Sequence, residues 1–305
     1  MPESSIKTPH SENQFADYRN FWWNKGFIDL MAKRIKLSKH TSMLDVGCGQ
    51  CHWSKILTPY LGKPAYVVGV DKDPTWAKGS AELKRFFKDQ AAWFELYQGD
   101  AMNLPFEDAS FDIVTCQTVL IHVGNPTKAV EEMKRVLKPG GTILCVEPNN
   151  RIQSLLRTSE SENTSIDEMV DHVKYALIVE QGKKRLGFGD NSLGDLLPGT
   201  LSKQGFEKID VRLSDKAIVM VPPYDTQEQM ATTKHWKKGN AGDAMNNSDL
   251  FYFEAFGDKY LSFYDEYHQK YEGHSERIFE ALKNNDFHSA GGALMYLVSG
   301  KKPNH

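Results

Sequence analysis

The first half of the chain alternates between short apolar runs and amphipathic stretches. Runs such as YVVGV and DIVTC have no regular polar positions, which is typical of parallel strands buried on both faces. They predict strands at residues 42–46, 65–70, 94–98, 111–117 and 142–147. Helical periodicity predicts helices between them at 53–60, 74–88 and 127–136. This alternation predicts an α/β fold with a doubly wound, mostly parallel sheet.

Both ends of the chain depart from this pattern. Residues 1–14 are polar, and aromatic and apolar residues recur at helical spacing over 15–37. Farther along, helices are predicted over 165–181, ending at Gly182, and over 193–203. A sixth strand is predicted at 207–213 and a last strand at 293–299. The stretch between these two strands is rich in aromatic side chains and far longer than a tight turn.

Composition narrows the class of protein. The chain has 305 residues, of which 40% are hydrophobic and 25% charged, and its formal net charge is −3. A slightly acidic chain without a basic stripe does not favour general nucleic-acid binding. No apolar run approaches the roughly 20 residues that a membrane helix needs, and the polar N-terminus lacks the apolar core of a signal peptide. Only four cysteines occur, so we expect a reducing, cytoplasmic location.

Residues 43–53, MLDVGCGQCHW, contain two overlapping motifs. Cys48 and Cys51 form a C-x-x-C at the start of a predicted helix, a position that lowers thiol pKa values and suits a redox dithiol. Gly47 and Gly49 follow an apolar strand, and glycines at such a turn let the backbone approach a nucleotide-like ligand. The third glycine of the dinucleotide pattern is absent, which argues against a nicotinamide cofactor.

Acidic residues follow the next two predicted strands. Asp71 lies at the carboxyl end of the second strand, where a carboxylate can accept hydrogen bonds from both ribose hydroxyls. Asp73 precedes Pro74 and is the better candidate for the cap of the following helix. Asp100, just past the third strand, could accept a hydrogen bond from an adenine amine or could be an ordinary turn residue.

Taken in order, five segments resemble a known family. They are LDVGCG, VVGVDKDP, GDAMNLPFEDASFD, VTCQTVLIHV and RVLKPGGTILCVEPN. The arrangement resembles the class I S-adenosylmethionine-dependent methyltransferases, in particular the branch of the ubiquinone and menaquinone biosynthetic enzymes. The resemblance covers residues 40–150 most strongly. It implies a seven-stranded sheet whose last strand is antiparallel, with the cofactor across the carboxyl ends of the first, second and fourth strands.

The resemblance also assigns residues to the cofactor. Those expected to contact it are Asp45, Gly47, Gly49 and the backbone of Cys48 at the methionine portion, Asp71 at the ribose, Lys72 beside the adenine, Asp100 and Ala101 at the adenine, and Gln117 near the methionine amino group. A cofactor packed against Cys48 makes the redox interpretation less favourable. No metal site is expected, since the remaining cysteines lie in predicted buried strands.

Two residues are candidates for acid–base work in the transfer. Methyl transfer to a nucleophile depends mainly on alignment, and a base is needed only if the acceptor must lose a proton. His122 follows the fourth strand and could take a proton near neutral pH. Glu147, at the end of the fifth strand, could be a base or orient the acceptor. The structural alternatives are a loop histidine and a loop-capping carboxylate.

The acceptor is expected to be a small molecule. The chain lacks the Asn-Pro-Pro-Tyr or Asp-Pro-Pro-Tyr motif of nucleic-acid amino-methylating enzymes, and no RNA-binding module or membrane partner is indicated. Three alternatives stay open: a protein or RNA methyltransferase, a non-catalytic S-adenosylmethionine-binding protein, and a nicotinamide-dependent dehydrogenase. The aromatic stretch could cover an apolar acceptor or form the interface of a homodimer.

On this hypothesis the chain divides into consecutive segments. They are a disordered tail (1–14), an N-terminal helical lid (15–40), the S-adenosylmethionine-binding core (41–149), a helical insertion plus the sixth strand (150–220), an aromatic-rich helical cap segment (221–291), and the last strand with its tail (292–305).

Overall fold

The architecture is built around one mixed sheet. The structure is a computed structural model, and it describes residues 16–240, 249–292 and 294–304. The predicted disordered tail lies outside the described residues. The strands are β1 (Ser42–Val46), β2 (Ala65–Asp71), β3 (Ala92–Gln98), β4 (Phe111–Gln117), β5 (Leu137–Asn149), β6 (Glu207–Leu213), β7 (Ile218–Met220), β8 (Ser289–Gly291) and β9 (Leu294–Lys301).

Seven of these strands form the main sheet in the order β3-β2-β1-β4-β5-β9-β6. Strands β1 to β5 run parallel, and β9 is antiparallel to both of its neighbours. The order reverses between β1 and β4, which is where ligands bind in open α/β sheets. The predicted α/β fold with an antiparallel last strand is therefore confirmed. Strands β7 and β8 form a separate antiparallel pair that the sequence pattern did not predict.

Helices cover both faces of the sheet and build the region beyond it. They are α1 (Lys25–Arg34), α2 (His52–Leu57), α3 (Ala81–Asp89), α4 (Pro126–Val136), α5 (Ile166–Arg185), α6 (Leu197–Lys203), α7 (Gln227–Asn240), α8 (Leu250–Glu254), α9 (Asp258–Lys270) and α10 (His274–Lys283). None of the helices in the described ranges is long and apolar enough to cross a membrane.

Alternate residues of the strands enter two separate cores. Leu44 and Val46 of β1 pack on one face together with Val130 and Met133 of α4. Met43, the residue before Leu44, packs on the other face against residues from α1 and α3. A strand that must be apolar toward both faces cannot show a polar alternation, which explains the continuous apolar runs.

Helix boundaries differ from the sequence prediction in several places, of which three have a clear physical reason. The stretch over 74–88 is α-helical only from α3 onward, because Gly79 adopts a φ of +62° and the Ser80 hydroxyl caps the helix at Leu83 N. Helix α5 continues past Gly182, where a side chain would overlap the backbone of Tyr252, so this glycine permits close packing rather than ending the helix. The segment 15–37 is divided between a 3₁₀ turn (Ala16–Phe21) and α1.

The aromatic cap segment packs with β7 and α5 into two small cores beside the main sheet. Ile218 and Met220 of β7 pack with Leu282 of α10 and Phe287. Phe253 and Phe263 pack against α5 in a second cluster. Many of the aromatic side chains are thereby accounted for by packing between helices.

Phe87 tests the packing of the core beside α3. It is fully buried, and its ring stacks on Phe94 with 3.9 Å between centroids. Phe87→Ala should lower the free energy of unfolding by about 3–5 kcal/mol, because transfer and cavity terms add. Trp93→Ala is the control: Trp93 is 70% exposed, so its loss should cost less than about 1 kcal/mol. Equal losses in denaturant titrations of the two variants would contradict this account of the core.

Candidate functional site

The carboxyl ends of the first four strands lie along one edge of the sheet. Val46 pairs with Val70 on one side and with Cys116 on the other, and Asp71 pairs with Gln98. The loops that leave these strands therefore start side by side. Each contains residues that the sequence assigned to a cofactor.

The glycine loop after β1 turns sharply. Gly47 and Gly49 have φ values of +67° and +47°, which glycine adopts without the strain of a Cβ. The amides of Gly47 and Cys48 donate to the carbonyl of Val70 at 2.7 and 3.1 Å. A side chain at position 47 would overlap that of Val119. The loop is thus fixed to β2 and to the loop after β4.

Asp71 holds the other side of this loop. Its Oδ2 accepts from the amide of Gly49 at 2.9 Å, and its Oδ1 accepts from the amide of Asp73 at 3.0 Å. The side chain is 6% exposed. A carboxylate oxygen has capacity for more than one hydrogen bond, so Asp71 can accept from a ligand as well. Asp73 does not cap a helix; it accepts from Thr75 N within a turn at 2.8 Å.

The remaining predicted cofactor residues occupy the same edge. Asp45 is buried, and its Oδ2 accepts from the amide of Ser54 at 3.1 Å and from the Ser54 hydroxyl. Asp100 Oδ1 accepts from Met102 N at 2.8 Å, and its Oδ2 lies 3.3 Å from Lys72 Nζ. The Met102 amide and the Lys72 ammonium lower the pKa of Asp100 and keep it ionised. Ala101 follows it in the same turn, half-buried.

Gln117 ends β4 and is also half-buried. Thr118, directly after it, has a φ of +53°, a strained value for a β-branched residue. The sequence did not single out Thr118, and no residue pattern marks such a strain.

The C-x-x-C thiols are unsuited to redox chemistry as they stand. All four cysteines are free and buried. The Cys48 side chain packs where a Cβ of Gly69 would be, so it points into the core while its backbone remains in the loop. Its interaction with Cys51 and its burial both raise the pKa of the Cys48 thiol. A thiol kept protonated is a poor nucleophile.

Glu147 is fully buried beneath the loop that follows β4. Its Oε1 accepts from the amides of Val119 and Leu120 at 2.9 and 2.8 Å, and its Oε2 accepts from that of Ile121 at 3.4 Å. Burial raises the pKa of Glu147 to about 7, and the amide hydrogen bonds oppose this increase only in part. The carboxylate is placed to hold the loop; its role as a base stays a prediction.

His122 is the last residue of the same loop, and its ring contacts a buried lysine. Lys183 of α5 is 7% exposed. Its Nζ donates to the carbonyl of Ile121 at 3.1 Å and to the Asn191 side chain, and it lies 3.2 Å from His122 Nδ1. Burial lowers the pKa of Lys183 to about 8. No sequence pattern indicates this contact, because the two residues are 61 positions apart.

A cavity of about 710 Å³ opens at the ends of β4 and β5. Thr118, Ile121 and His122 form its floor beside the predicted cofactor edge, and Pro148 and Asn150 continue that floor past β5. Its other walls come from the N-terminal turn, from β7 and β8, and from α7 and α10: Tyr18, Trp22, Ile218, Met220, His235, Trp236, Ile278 and Phe279. The volume suits a small molecule.

The N-terminal turn and the cap segment meet over this cavity. The rings of Tyr18 and His235 stack in parallel with 4.7 Å between centroids. Burial and the nearby Glu228 raise the pKa of Tyr18 to about 12, so the phenol stays protonated. A second cavity of about 820 Å³ includes Gly49, Gln50 and Trp76 on the cofactor edge. The described residues contain no cluster of histidine, cysteine or carboxylate groups that could hold a metal ion.

Comparison with known proteins shows what the central part of the chain is similar to. Residues 44–145 match the family model described as a methyltransferase domain. Demethylmenaquinone methyltransferase of Staphylococcus carnosus is 36% identical over 128 residues, which are 42% of this chain and 52% of that protein. The protein of the same name from Listeria welshimeri is 36% identical over 126 residues, 41% of this chain and 50% of that protein. The chain thus spans about half the length of the curated relatives it matches.

The fold has counterparts among solved structures. The crystal structure of the YcgJ protein from Bacillus subtilis matches with a TM-score of 0.50 and 19% sequence identity, covering 92% of this chain and 100% of that chain. At this identity the match shows the fold, which is the one that the sequence predicted.

The protonation of Glu147 should appear in the pH dependence of stability. Its pKa is near the ordinary 4.5 in the unfolded chain and about 7 in the native protein. Between these values the native state binds more protons, so the free energy of unfolding should fall as pH rises through this window. Relative to Glu147→Gln, the wild type should lose about 3 kcal/mol across it.

Denaturant titrations at several pH values measure this difference. Glu82→Gln, at an exposed carboxylate of α3, is the control for the loss of one acid. A difference between wild type and Glu147→Gln that does not change with pH would contradict the assignment.

Proposed function

We propose that residues 44–145, which match the methyltransferase domain model, form a class I S-adenosylmethionine-dependent methyltransferase domain, and that the chain transfers a methyl group to a small-molecule acceptor. The observation that carries the proposal is the contact between Asp71 and the amide of Gly49 at the switch point of the sheet. It holds a glycine turn and a carboxylate together at the place where the cofactor of this fold class binds.

The residues of the edge fit S-adenosylmethionine. Asp71 would accept from the ribose hydroxyls, and the backbone at Gly47 to Gly49 would lie against the methionine portion. Lys72, Asp100 and Ala101 would border the adenine, while Asp45 and Gln117 would be near the amino acid end. When bound, S-adenosylmethionine supplies an activated methyl group on a sulfonium.

The chain contributes alignment and a protected cavity. Glu147 fixes the loop at Val119 to Ile121 through its amides, and this loop carries His122 into the cavity wall. We assign His122 the role of contacting the polar atom of the acceptor. We assign Glu147 the role of holding the loop in place. The N-terminal turn and α7 exclude water above them, which preserves alignment during transfer.

A small acceptor is supported by the shape of the cavity. Its volume of about 710 Å³ is bounded largely by apolar and aromatic side chains. The relatives named as demethylmenaquinone methyltransferases support this class of acceptor. Most of the cavity wall, however, lies outside residues 44–145, so the match to the family model does not extend to the acceptor site. Four free cysteines support a reducing, cytoplasmic location, and a homodimer stays a prediction.

Loss of the Asp71 carboxylate should weaken cofactor binding. Asp71→Ala removes the acceptor for ribose hydroxyls and releases the Gly49 amide, so the binding free energy should fall by about 1–3 kcal/mol. Titration calorimetry with S-adenosylmethionine measures the change. Asp89→Ala, at an exposed carboxylate of α3, should leave the affinity unchanged. Unchanged affinity in Asp71→Ala would remove the ribose assignment.

Turnover of methyl-labelled S-adenosylmethionine tests the reaction itself. Label should move into a metabolite extract and not into RNA or protein fractions from the same cells. Cys51→Ser should keep this turnover, because the buried thiols take no part in it. Label in RNA or protein would favour the macromolecular alternative. Cofactor binding without transfer to any fraction would favour a non-catalytic binding protein.

A further inference from the structure

Helix α5 has apolar side chains on two of its faces. On the inner face, Tyr175 and Ile178 pack in one cluster with Phe253. The outer face has a second apolar set: Ile166, Met169, Val170, Val173 and Leu177. Ile166 is 80% exposed and Val170 is 57% exposed. A surface helix is normally polar on the side away from its core, so this outer face is suited to contact with another molecule.

The outer face forms part of a shallow groove of about 540 Å³. Leu155, which is 54% exposed, and Phe256 and Tyr260 from the cap segment complete the lining. Within the described ranges, the polar groups of this lining are Lys174, Gln181 and the Tyr260 hydroxyl. A contiguous apolar surface with a polar rim is typical of an interaction site.

The apolar residues of the outer face are spaced as in the seam of a helix pair. Ile166, Val170, Val173 and Leu177 follow one another at intervals of four, three and four positions. This alternation is that of the core positions of a coiled coil, where side chains of one helix fit between those of another. With a rise of 1.5 Å per residue, the seam is about 17 Å long. A second helix can therefore pack along it.

Two opposite charges lie along one edge of this seam. Asp167 directly follows Ile166, and Lys174 directly follows Val173, so both flank the seam on the same side. Both side chains are exposed. The Lys174 ammonium lies 3.6 Å from the centroid of the Phe263 ring, which keeps it close to the helix.

These positions are self-complementary in an antiparallel arrangement. When two α5 helices pack antiparallel about a two-fold axis, Ile166 lies opposite the partner's Leu177, and Val170 lies opposite the partner's Val173. Asp167 then lies beside the partner's Lys174, and the symmetry makes this ion pair twice. In a parallel pair, Lys174 would instead lie beside the partner's Met169, an apolar side chain rather than an opposite charge.

We propose that the outer face of α5 is the interface of a homodimer in which the two α5 helices pack antiparallel. The molecule that covers the groove is thus a second copy of this chain. The seam supplies apolar burial, and the ion pairs at Asp167 and Lys174 fix direction and register more than they add affinity. Dimer formation in this arrangement is independent of methyl transfer.

A membrane surface is less suited to the same groove. The first turn of α5 is acidic, with Asp167 and Glu168 next to the most exposed apolar residue, Ile166. Helices that lie on anionic bilayers have basic residues beside their apolar face. The charges at this end of α5 favour a protein partner with a lysine at the matching position, which a second copy provides.

Sedimentation equilibrium of the full chain tests the interface. We expect a species of twice the 34.6 kDa of one chain at micromolar concentration. Val170→Glu places a charge at the centre of the seam in both copies, so it should raise the dissociation constant at least about 100-fold. Val219→Glu is the matched control: Val219 is 51% exposed and lies on β7, outside the groove, so the dimer should persist.

Paired cysteines test the direction of the helices. Ile166→Cys protein mixed with Leu177→Cys protein should form a disulfide-linked dimer under a mild oxidant. Neither variant alone should do so, because identical positions lie about 17 Å apart along an antiparallel pair. The wild type controls for the native cysteines, which are all buried. A parallel pair would give the opposite result, with links in each variant alone.

A charge exchange tests the register independently. Asp167→Lys and Lys174→Asp should each raise the dissociation constant of the dimer about tenfold, because each places like charges together twice. The double variant restores opposite charges and should recover most of the loss. A merely structural role of these exposed residues within one chain would not produce this recovery.

Each outcome supports or overturns the inference. A monomer at every concentration, a dimer that persists in Val170→Glu, or cysteine links in either variant alone overturns it. A monomer that binds anionic vesicles, with Val170→Glu abolishing the binding, also overturns it in favour of a membrane surface. If circular dichroism shows that Val170→Glu does not fold, the cysteine pairs and the charge exchange decide. Loss of methyl transfer, measured separately, would overturn the proposed function and leave the dimer standing.

Discussion

The arrangement of the site depends on one buried carboxylate. Glu147 accepts hydrogen bonds from three consecutive amides after β4 and so determines the course of the loop from Val119 to Ile121. Val119 packs where a side chain of Gly47 would be, and the Ile121 carbonyl receives Lys183. The glycine loop, the floor of the cavity and α5 are therefore all positioned by contacts with the backbone of this one loop.

This loop lies between the cofactor edge and the cavity, which are formed by different kinds of contact. On one side the strands β1 to β4 end in a common edge that the sheet register alone brings together. On the other side the cavity depends on contacts between segments distant in sequence, such as the stacking of Tyr18 on His235. Close approach is needed at the junction: a side chain at Gly189 would overlap the carbonyl of Ile121. The cofactor edge and the cavity are consequently held in one geometry by close backbone packing together with the side chains of Glu147 and Lys183.

The placement of the proposed cofactor residues along one edge of the sheet could be predicted from sequence, because its signals are local. A buried parallel strand is recognised in the sequence as an apolar run. The residue at its carboxyl end, such as Asp71, then lies at the common edge of the sheet. The acceptor half could not be predicted, because its key contacts join residues without a shared pattern. Lys183 lies on a helix that begins after residue 165, and nothing near it in sequence points to His122.

The predicted helix boundaries at these two places were wrong for a related reason. Gly182 looks like a helix terminator, yet the space it leaves is taken by Tyr252, a partner that only the folded chain supplies. Similarly, Pro74 resembles the start of a helix, but the φ of Gly79 moves that start to Ala81. Tertiary packing and backbone conformation overrode local propensity in both places.

The walls of the cavity of about 710 Å³ come mainly from the stretch between β6 and β9, together with the turn before α1. Neither region supplies a strand to the parallel part of the sheet. On the proposed function, sequence changes in this stretch would alter the size and polarity of the acceptor cavity without changing the residues of the cofactor edge. On the proposed function, the acceptor and the methyl donor are contacted by separate portions of the polypeptide, so substrate choice can change with this stretch alone.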